Sequence, residues 1–410
     1  MLVGAAVTIP LVTTGIYRVF LGIGSGMTPL VLGTLSLLLA FVAAYWRWLL
    51  VAARANPQIT ALVLLAPVSF VWSMHPPTTI ERSVPLLVTS AFGLTLGAML
   101  SLRQLLHFFA LVMSITILAS LAAIILVPSS QGIGSWQDAW NGIHNHKNGL
   151  GAATMLAATL SASIAMISRG RLRVVAIAVL VLALVLLIGS KSRTSQLMAF
   201  IVLSGLATGI LFRRYALLWA VAFSTVALML FISGALILGS SIAEPVFEAL
   251  DRKPTLSGRL PLWSIVWPWI TERPALGYGY MAFWRQDAPH VVAMASNPKL
   301  FFAPFYSHNA VLEVLLALGA AGLILLLTGI WKAFAALTMI LRIEQDRLPA
   351  VCVFVVLVAI LSLNITESFM LDRGHTGWIM FLAMTTSARL AAQKSRARHA
   401  GTVRRRVAVP

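Results

Sequence analysis

Charge is what this sequence has least of. Only 10% of its 410 residues are Asp, Glu, Lys or Arg, where a water-soluble domain keeps about a quarter of its residues charged. Such a chain cannot clothe a water-facing surface. The acidic side is scarcer still, with 12 Asp and Glu against 30 Lys and Arg. There is 1 cysteine, Cys352, inside an apolar run, so no disulfide can form within the chain. No Gly-x-x-x-x-Gly-Lys segment is present, which removes P-loop nucleotide hydrolysis. The face that carries the polar motifs has few carboxylates and no Asp-x-Asp pair, which argues against a catalytic divalent cation. Carboxylates are almost missing from the apolar runs, which weakens an ion-coupled transporter. No cleavable leader stands out. The first run, Val3 to Ile16, lacks a basic flank and reads as a first membrane helix, short and interrupted by Pro10.

What is there is hydrophobic: 59% of residues, with mean hydropathy +0.91. In lipid only helices and closed barrels satisfy the backbone, and non-alternating runs of about 20 residues favour helices. About twelve runs are visible, near 2–17, 27–46, 59–74, 84–101, 104–127, 148–167, 173–190, 195–212, 216–238, 308–331, 349–366 and 375–392. The predicted fold is all-α, a polytopic membrane protein forming one domain over 1–410. It has a large loop over 239–307 and a basic tail over 393–410. Most Lys and Arg fall in alternate short breaks and in the tail: Arg47, Arg54, Arg103, Arg169, Arg171, Arg173, Arg213, Arg214, Lys332, Arg342, Arg347, Arg389 and beyond. The positive-inside trend makes that side cytoplasmic and places both termini there. The tail also suits anionic lipid heads. Charges scattered over membrane loops do not suit nucleic acid.

The other face carries basic residues against that trend, among them Lys147, Lys191, Arg193, Arg252, Lys253, Arg259, Arg273, Arg285 and Lys299. Their natural partner is an anion such as a phosphate. Asn141-Gly-Ile-His-Asn-His-Lys-Asn-Gly-Leu-Gly151 opens a helix with polar groups and glycines, either to approach an anion or as a polar cap. His144 and His146 could also contribute to a metal site, though with few further ligands nearby. Gly189 to Ser195 is a tight turn that brings Lys191 and Arg193 to the membrane plane, as phosphate-binding forks or as snorkelling anchors. Ser257-Gly-Arg259 sets another guanidinium beside a glycine, ahead of Trp263, Trp267 and Trp269. Those tryptophans suit a surface helix as interfacial anchors, or else sugar stacking. In Tyr306-Ser-His-Asn-Ala-Val-Leu-Glu313, Ser307 is the predicted helix cap and His308 falls in the first turn. With an ordinary pKa near 6.5, a histidine there can accept a proton near neutral pH. Asn364-Ile-Thr-Glu-Ser368 places Glu367 at a helix end, to pair with an arginine or to act directly.

Taken in order, these segments resemble the O-antigen ligase and Wzy-type polysaccharide polymerase family of bacterial envelopes. The resemblance spans roughly 140–380. It rests on His146-Lys-Asn-Gly-Leu-Gly151, Ser192-Arg193, Leu256-Ser-Gly-Arg259 with Trp263, Pro274 and Gly277-Tyr-Gly279, and Ser307-His-Asn309 with Gly319 and Gly322. Asn364 to Glu367 and Trp378 add to it. The resemblance implies a GT-C-like membrane glycosyltransferase of the bacterial inner membrane, without cofactor or metal. It would take a glycan from a polyprenyl (undecaprenyl) diphosphate donor to a hydroxyl of a glycan or lipid-linked acceptor, on the periplasmic face and beside polysaccharide assembly partners. By position, His308 would be the catalytic base, and Arg193, Arg259 and Lys147 would bind the diphosphate. His146, Asn148, Lys191, Asn309 and Glu367 would support them. Leu318 stands before Gly319 where family members often have an acid, and Ser257 where Thr is common. Ligase and polymerase both remain open, with the His-Lys-Asn segment closer to exopolysaccharide polymerases. The alternative from another class is a transporter or flippase of a lipid-linked glycan.

Overall fold

The computed structural model describes residues 29–127, 139–220, 222–223, 259–298, 300, 304–343 and 347–407. Helix dominates the described residues. In chain order the helices are α1 (Pro29–Ala44), α2 (Trp46–Ala55), α3 (Pro57–Val68), α4 (Pro76–Met99), α5 (Leu102–Leu126), α6 (Lys147–Ile167), α7 (Gly170–Gly189), α8 (Arg193–Leu211), α9 (Arg259–Glu272), α10 (Pro289–Ala295), α11 (Ala310–Ile340), α12 (Arg347–Leu363) and α13 (Thr376–Val407). Their starts follow local chemistry. Pro76 and Pro77 open α4, where a missing N–H costs nothing. Ser101 and Gln104 form a reciprocal capping box on α5.

Among the described residues 6 helices, α4 to α8 and α11, are long and apolar enough to cross a membrane. The number rises to 7 if α1 and α2, which meet at 81°, count as one broken span. α3 and α12 are shorter apolar helices. Ten of the predicted runs thus begin or lie on helices, while the run at 2–17 and most of 216–238 fall outside the described residues.

The packing is that of a bundle whose solvent is lipid. α12 lies at its heart, with Val351 to Leu357 buried to within 2%. α7 exposes Val174, Val175, Ile177, Val181, Val185 and Ile188 outward. With no water to squeeze from between spanning helices, close backbone approach and dispersion carry the association. Gly93 and Gly97, four apart on α4, show this: a Cβ on Gly93 would meet the Ile379 carbonyl of α13 at 3.0 Å, and one on Gly97 would collide with Ala383.

α11 is interrupted at Gly319, whose φ of 61° and ψ of −160° are not helical. The break frees the carbonyls of Leu316 and Ala317 and the amides of Ala320 and Ala321. The segment after α9 takes all of them. Tyr278 N donates to Leu316 O (2.7 Å) and Gly279 N to Ala317 O (3.0 Å), while Ala320 N reaches Pro274 O (2.8 Å) and Ala321 N reaches Ala275 O (3.1 Å). Only glycine fits the crossing. A Cβ on Gly277 would sit 2.5 Å from Leu316 O, and one on Gly319 would strike Ala275. Unpaired backbone groups at that depth would cost several kcal/mol each. This interlock fixes the end of α9, and therefore Arg259, relative to the start of α11.

Candidate functional site

Four polar segments meet at one end of the bundle. The stretch 139–146 is drawn onto the α7–α8 turn by Trp140 N, which donates to Gly189 O at 2.9 Å, with the indole packed where a Gly189 side chain would stand. Gly151 lets α6 approach the same turn, since a Cβ there would lie 2.6 Å from Ser192 Cβ and 2.8 Å from Ser195 Oγ. His146 caps α6 by accepting from Asn148 N at 3.2 Å. On the other side, Ala310 N donates to Asn364 O (2.9 Å) and Asn309 Nδ2 to Ile365 O (3.1 Å), which ties the start of α11 to the α12–α13 loop.

Glu367 is the hub. Its Oε1 accepts from Arg259 Nη2 at 2.6 Å and from Asn148 Nδ2 at 3.2 Å. Its Oε2 accepts from the Tyr306 hydroxyl at 3.1 Å and faces His308 Nδ1 at 3.3 Å. Asn148 extends the chain by accepting from Ser192 Oγ at 3.3 Å, the residue before Arg193. Arg259 and Glu367 are both about 8% exposed as side chains, so this is a buried ion pair, while the His308 ring keeps 20%. Burial pushes the Glu367 carboxyl up. The His308 hydrogen bond, the Arg259 and His308 charges and the Tyr306 hydroxyl together outweigh it and hold the group below the usual carboxylate range. Tyr306 moves the other way, its phenol raised by burial and then by the Glu367 charge. Burial also lowers His146, against the pull of Glu367.

His308 stands at φ 53°, a left-handed conformation that a non-glycine residue adopts at a cost. Neighbours hold it there. Trp263 Nε1 donates to Ser307 O at 2.9 Å. Glu313 Oε2 accepts from Ser307 N (2.9 Å), Ser307 Oγ (2.8 Å) and Trp284 Nε1 (3.1 Å). The Tyr306 and His308 rings pack at 4.1 Å.

The sequence-predicted residues therefore divide. Arg259, His308, Glu367 and Asn148 come together around one carboxylate, and Asn309 braces them. Glu367 takes the arginine-pairing alternative. Arg193 opens α8 with an exposed side chain, next to Ser192, which joins the hub, and Lys191 is exposed in the turn at φ 49°. Lys147 begins α6 beside Asn148. The expected cap is corrected: Asn309, not Ser307, caps α11 by accepting from Val311 N and Leu312 N, because Glu313 captures Ser307. His308 consequently precedes the helix instead of sitting in its first turn. The tryptophans separate too. Trp263 bonds backbone, Trp269 packs among Tyr278, Phe283 and His290, and Trp267 is 54% exposed. Arg252, Lys253, Ser257 and Lys299 lie outside the described residues.

Tyr306 and Glu313 escaped the sequence reading. Glu313 is visible as the only acid of the α11 first turn, but its target is not. His144 and His146 part company: His146 turns to its own helix, and His144 Nε2 is sealed inside.

Comparison with known proteins places a name on part of this arrangement. Residues 178–327 match the family model described as O-antigen ligase. That stretch runs from within α7 through the break in α11 and includes Arg193, Arg259 and His308, but not Lys147, Asn148 or Glu367. A protein of Rickettsia typhi named "Putative polysaccharide ligase" is 28% identical over 136 residues, 32% of this chain and 33% of that one. Its namesake in Rickettsia prowazekii is 27% identical over the same share. The matched part is about a third of the length of these curated relatives. Across residues 178–327, this membrane protein is similar to the O-antigen ligase family.

Proposed function

We propose that the protein is a glycosyltransferase that moves a glycan from a polyprenyl-diphosphate donor onto a sugar hydroxyl, as a ligase or polymerase of surface polysaccharide. Its chain crosses the bacterial inner membrane about twelve times in a GT-C-like arrangement, with both termini cytoplasmic and the Glu367 hub at the periplasmic face. The observation that carries this reading is that a single carboxylate joins a histidine and an arginine: Glu367 lies 3.3 Å from His308 Nδ1 and 2.6 Å from Arg259 Nη2.

A proton on Nδ1, bonded to Glu367, makes Nε2 the basic nitrogen of His308. The acceptor hydroxyl gives its proton to Nε2 as its oxygen attacks the anomeric carbon. The bond from that carbon to the phosphate oxygen breaks, and the diphosphate departs with the electron pair. Glu367 stabilises the imidazolium that forms, as a positioning residue. Arg259 commits one N–H to Glu367, and its fork has further donors for a phosphate oxygen. Arg193 and Lys147 approach from the α8 and α6 starts. Preorganised cations of this kind stabilise charge as it develops, the work a metal ion does elsewhere.

The test is polysaccharide output in cells carrying His308→Ala, with membrane levels of the protein confirmed. A general base contributes about 10²–10⁴-fold, so loss of long-chain or ligated product is expected, with lipid-linked precursor accumulating outside the cytoplasmic membrane. Normal product would remove His308 from the chemistry. Precursor retained on the inner side would favour the transporter alternative.

A further inference from the structure

A second carboxylate lies next to the base, and the transfer chemistry does not use it. Glu313 stands one turn into α11. One of its oxygens, Oε2, takes three donors: Ser307 N at 2.9 Å, Ser307 Oγ at 2.8 Å and Trp284 Nε1 at 3.1 Å. The helix does not need this service. Ala310 N already donates to Asn364 O at 2.9 Å, Val311 N and Leu312 N to Asn309 Oδ1 at 2.9 and 3.1 Å, and Glu313 N to Asn309 O at 2.9 Å. The first-turn amides that a cap must satisfy are therefore met without the carboxylate. A capping-box glutamate sits at the third helical position and returns to the amide of the cap residue itself. Glu313 is at the fourth. It skips Asn309 and His308 and grips Ser307.

What it grips fixes the base. Ser307 is fully buried, its amide and hydroxyl on Glu313 and its carbonyl on Trp263 Nε1 at 2.9 Å. That carbonyl belongs to the planar peptide joining Ser307 to His308, so holding its oxygen sets the direction in which the His308 backbone departs. On the other side, Asn309 Nδ2 is tied to Ile365 O at 3.1 Å. His308 thus hangs between two anchored residues at φ 53°, a conformation that persists only where the surroundings over-determine it. Trp284, the remaining donor, is buried in the apolar cluster that holds Leu262 and Val266 of α9. Through it Glu313 connects the packing of the helix that carries Arg259 to the backbone of His308.

We propose that Glu313 is a positioning residue: by clamping Ser307 it holds His308 in its left-handed conformation, with Nδ1 on Glu367. The inference rests on the glycosyltransferase reading for the role of His308, but the clamp is measurable without turnover.

The experiment uses the full chain in lipid nanodiscs, with its histidine nitrogens isotopically labelled for NMR. Wild type is compared with Glu313→Ala, Glu313→Gln and Ser307→Ala, the His308 signals being assigned by their loss in His308→Ala. Transfer from a polyprenyl-diphosphate-linked oligosaccharide is followed on the same samples. Wild type is expected to carry the His308 proton on Nδ1. Glu313→Ala should lose that preference and lower kcat about 100-fold, the scale of a 1 Å misplacement. KM for the donor should hold, because the arginines are untouched. Glu313→Gln keeps an acceptor for Ser307 and should restore most of both readouts. Ser307→Ala loses the hydroxyl but keeps the amide bond, so it should fall between, and it reads the clamp where Glu313→Ala does not fold. Two results would overturn the proposal: a wild-type His308 signature in both Glu313→Ala and Ser307→Ala, or a Glu313→Gln variant as impaired as Glu313→Ala in both readouts. A signature that shifts as expected, in a protein whose wild type transfers no glycan, would sink the transferase reading and leave the clamp standing. Turnover lost with an intact signature would do the reverse.

Discussion

Two buried polar networks brace this bundle, one near the start of α13 and one about Thr385 to Arg389 within it, and they are built differently. At the far end, Asn56 is fully buried, with its Nδ2 reaching Thr385 and Thr386 Oγ1 at 3.5 and 3.4 Å. Its Oδ1 accepts from Arg389 Nη1 at 2.6 Å, and Arg389 also reaches Gln58 Oε1 at 3.0 Å. Amides and hydroxyls do most of this work, and none of these atoms is orphaned. The Glu367 end mixes a carboxylate, a guanidinium and an imidazole, holds His308 at φ 53°, and leaves three polar atoms unmet nearby. A satisfied network, whose one charge on Arg389 is held by amide oxygens, fastens helices together. A network with opposed charges, strained backbone and unmet groups is costly for fastening alone, and such features gather where chemistry is done.

The sharpest way to break the comparison is Glu367→Gln. An amide keeps the shape but cancels the charge, so Arg259 is left buried without its counterion and His308 without its anchor. Breaking a buried pair from one side costs about 3–5 kcal/mol, and transfer activity should fall by about 100-fold or more, the scale of base catalysis. Melting temperature and glycan transfer should therefore both drop. A variant with wild-type turnover would show that Glu367 only fastens, as Asn56 does.

Much of this end was legible in the sequence. The runs of apolar residues marked most of the described helices, and basic residues against the expected sidedness singled out, among others, Arg259, which meets Glu367. His308 and Glu367 stood out as ionisable groups at helix ends. What stayed hidden was long-range. Glu367 is 108 residues from Arg259 and 219 from Asn148, and nothing local tells a carboxylate which distant donor it will meet. The helix cap misled for a similar reason, since Ser307 and Asn309 are both good caps and only the capture of Ser307 by Glu313 decides. Gly277 and Gly319 read as a pattern, yet their cause is the backbone exchange at the broken α11, while Gly279 makes room for Ser73.

That exchange supplies the next prediction, of fold against site. Gly319→Ala places a Cβ into the Ala275 backbone at a φ of 61°, so the interlock that positions Arg259 should open. Protein yield in the membrane should fall severely, with whatever folds showing impaired transfer. Wild-type yield and activity would mean the two segments separate without consequence. Asn56→Ala should be milder and one-sided. It strands Arg389 and two threonines at roughly 1–3 kcal/mol, lowering the melting temperature while activity per folded molecule stays near wild type. A loss of turnover out of proportion to stability would couple the two ends and blur the distinction between them.

The smallest effect concerns acid. Burial lowers His144 and His375 to about 4, below the ordinary 6.5. Between those values the unfolded chain binds protons that the folded one refuses, so stability is full above about 6.5 and falls as pH drops towards 4. Glu367, held below its ordinary value, acts in the same direction but lower, losing its contribution only as pH falls through its folded pKa. Asp372 works the other way. Its carboxyl is raised by burial, so its share of stability is lost as pH rises through its folded pKa, and acidification returns it. Where His144 and His375 set the trend, the melting temperature in nanodiscs should decline from pH 7 to pH 5. His144→Phe should flatten that decline by a few degrees, whereas Asn56→Ala should shift the whole curve down without changing its slope. Parallel curves for wild type and His144→Phe would mean that His144 takes up its proton as readily in the folded protein as in the unfolded chain, and burial beside the Glu367 end would then lose its claim to hold that ring neutral.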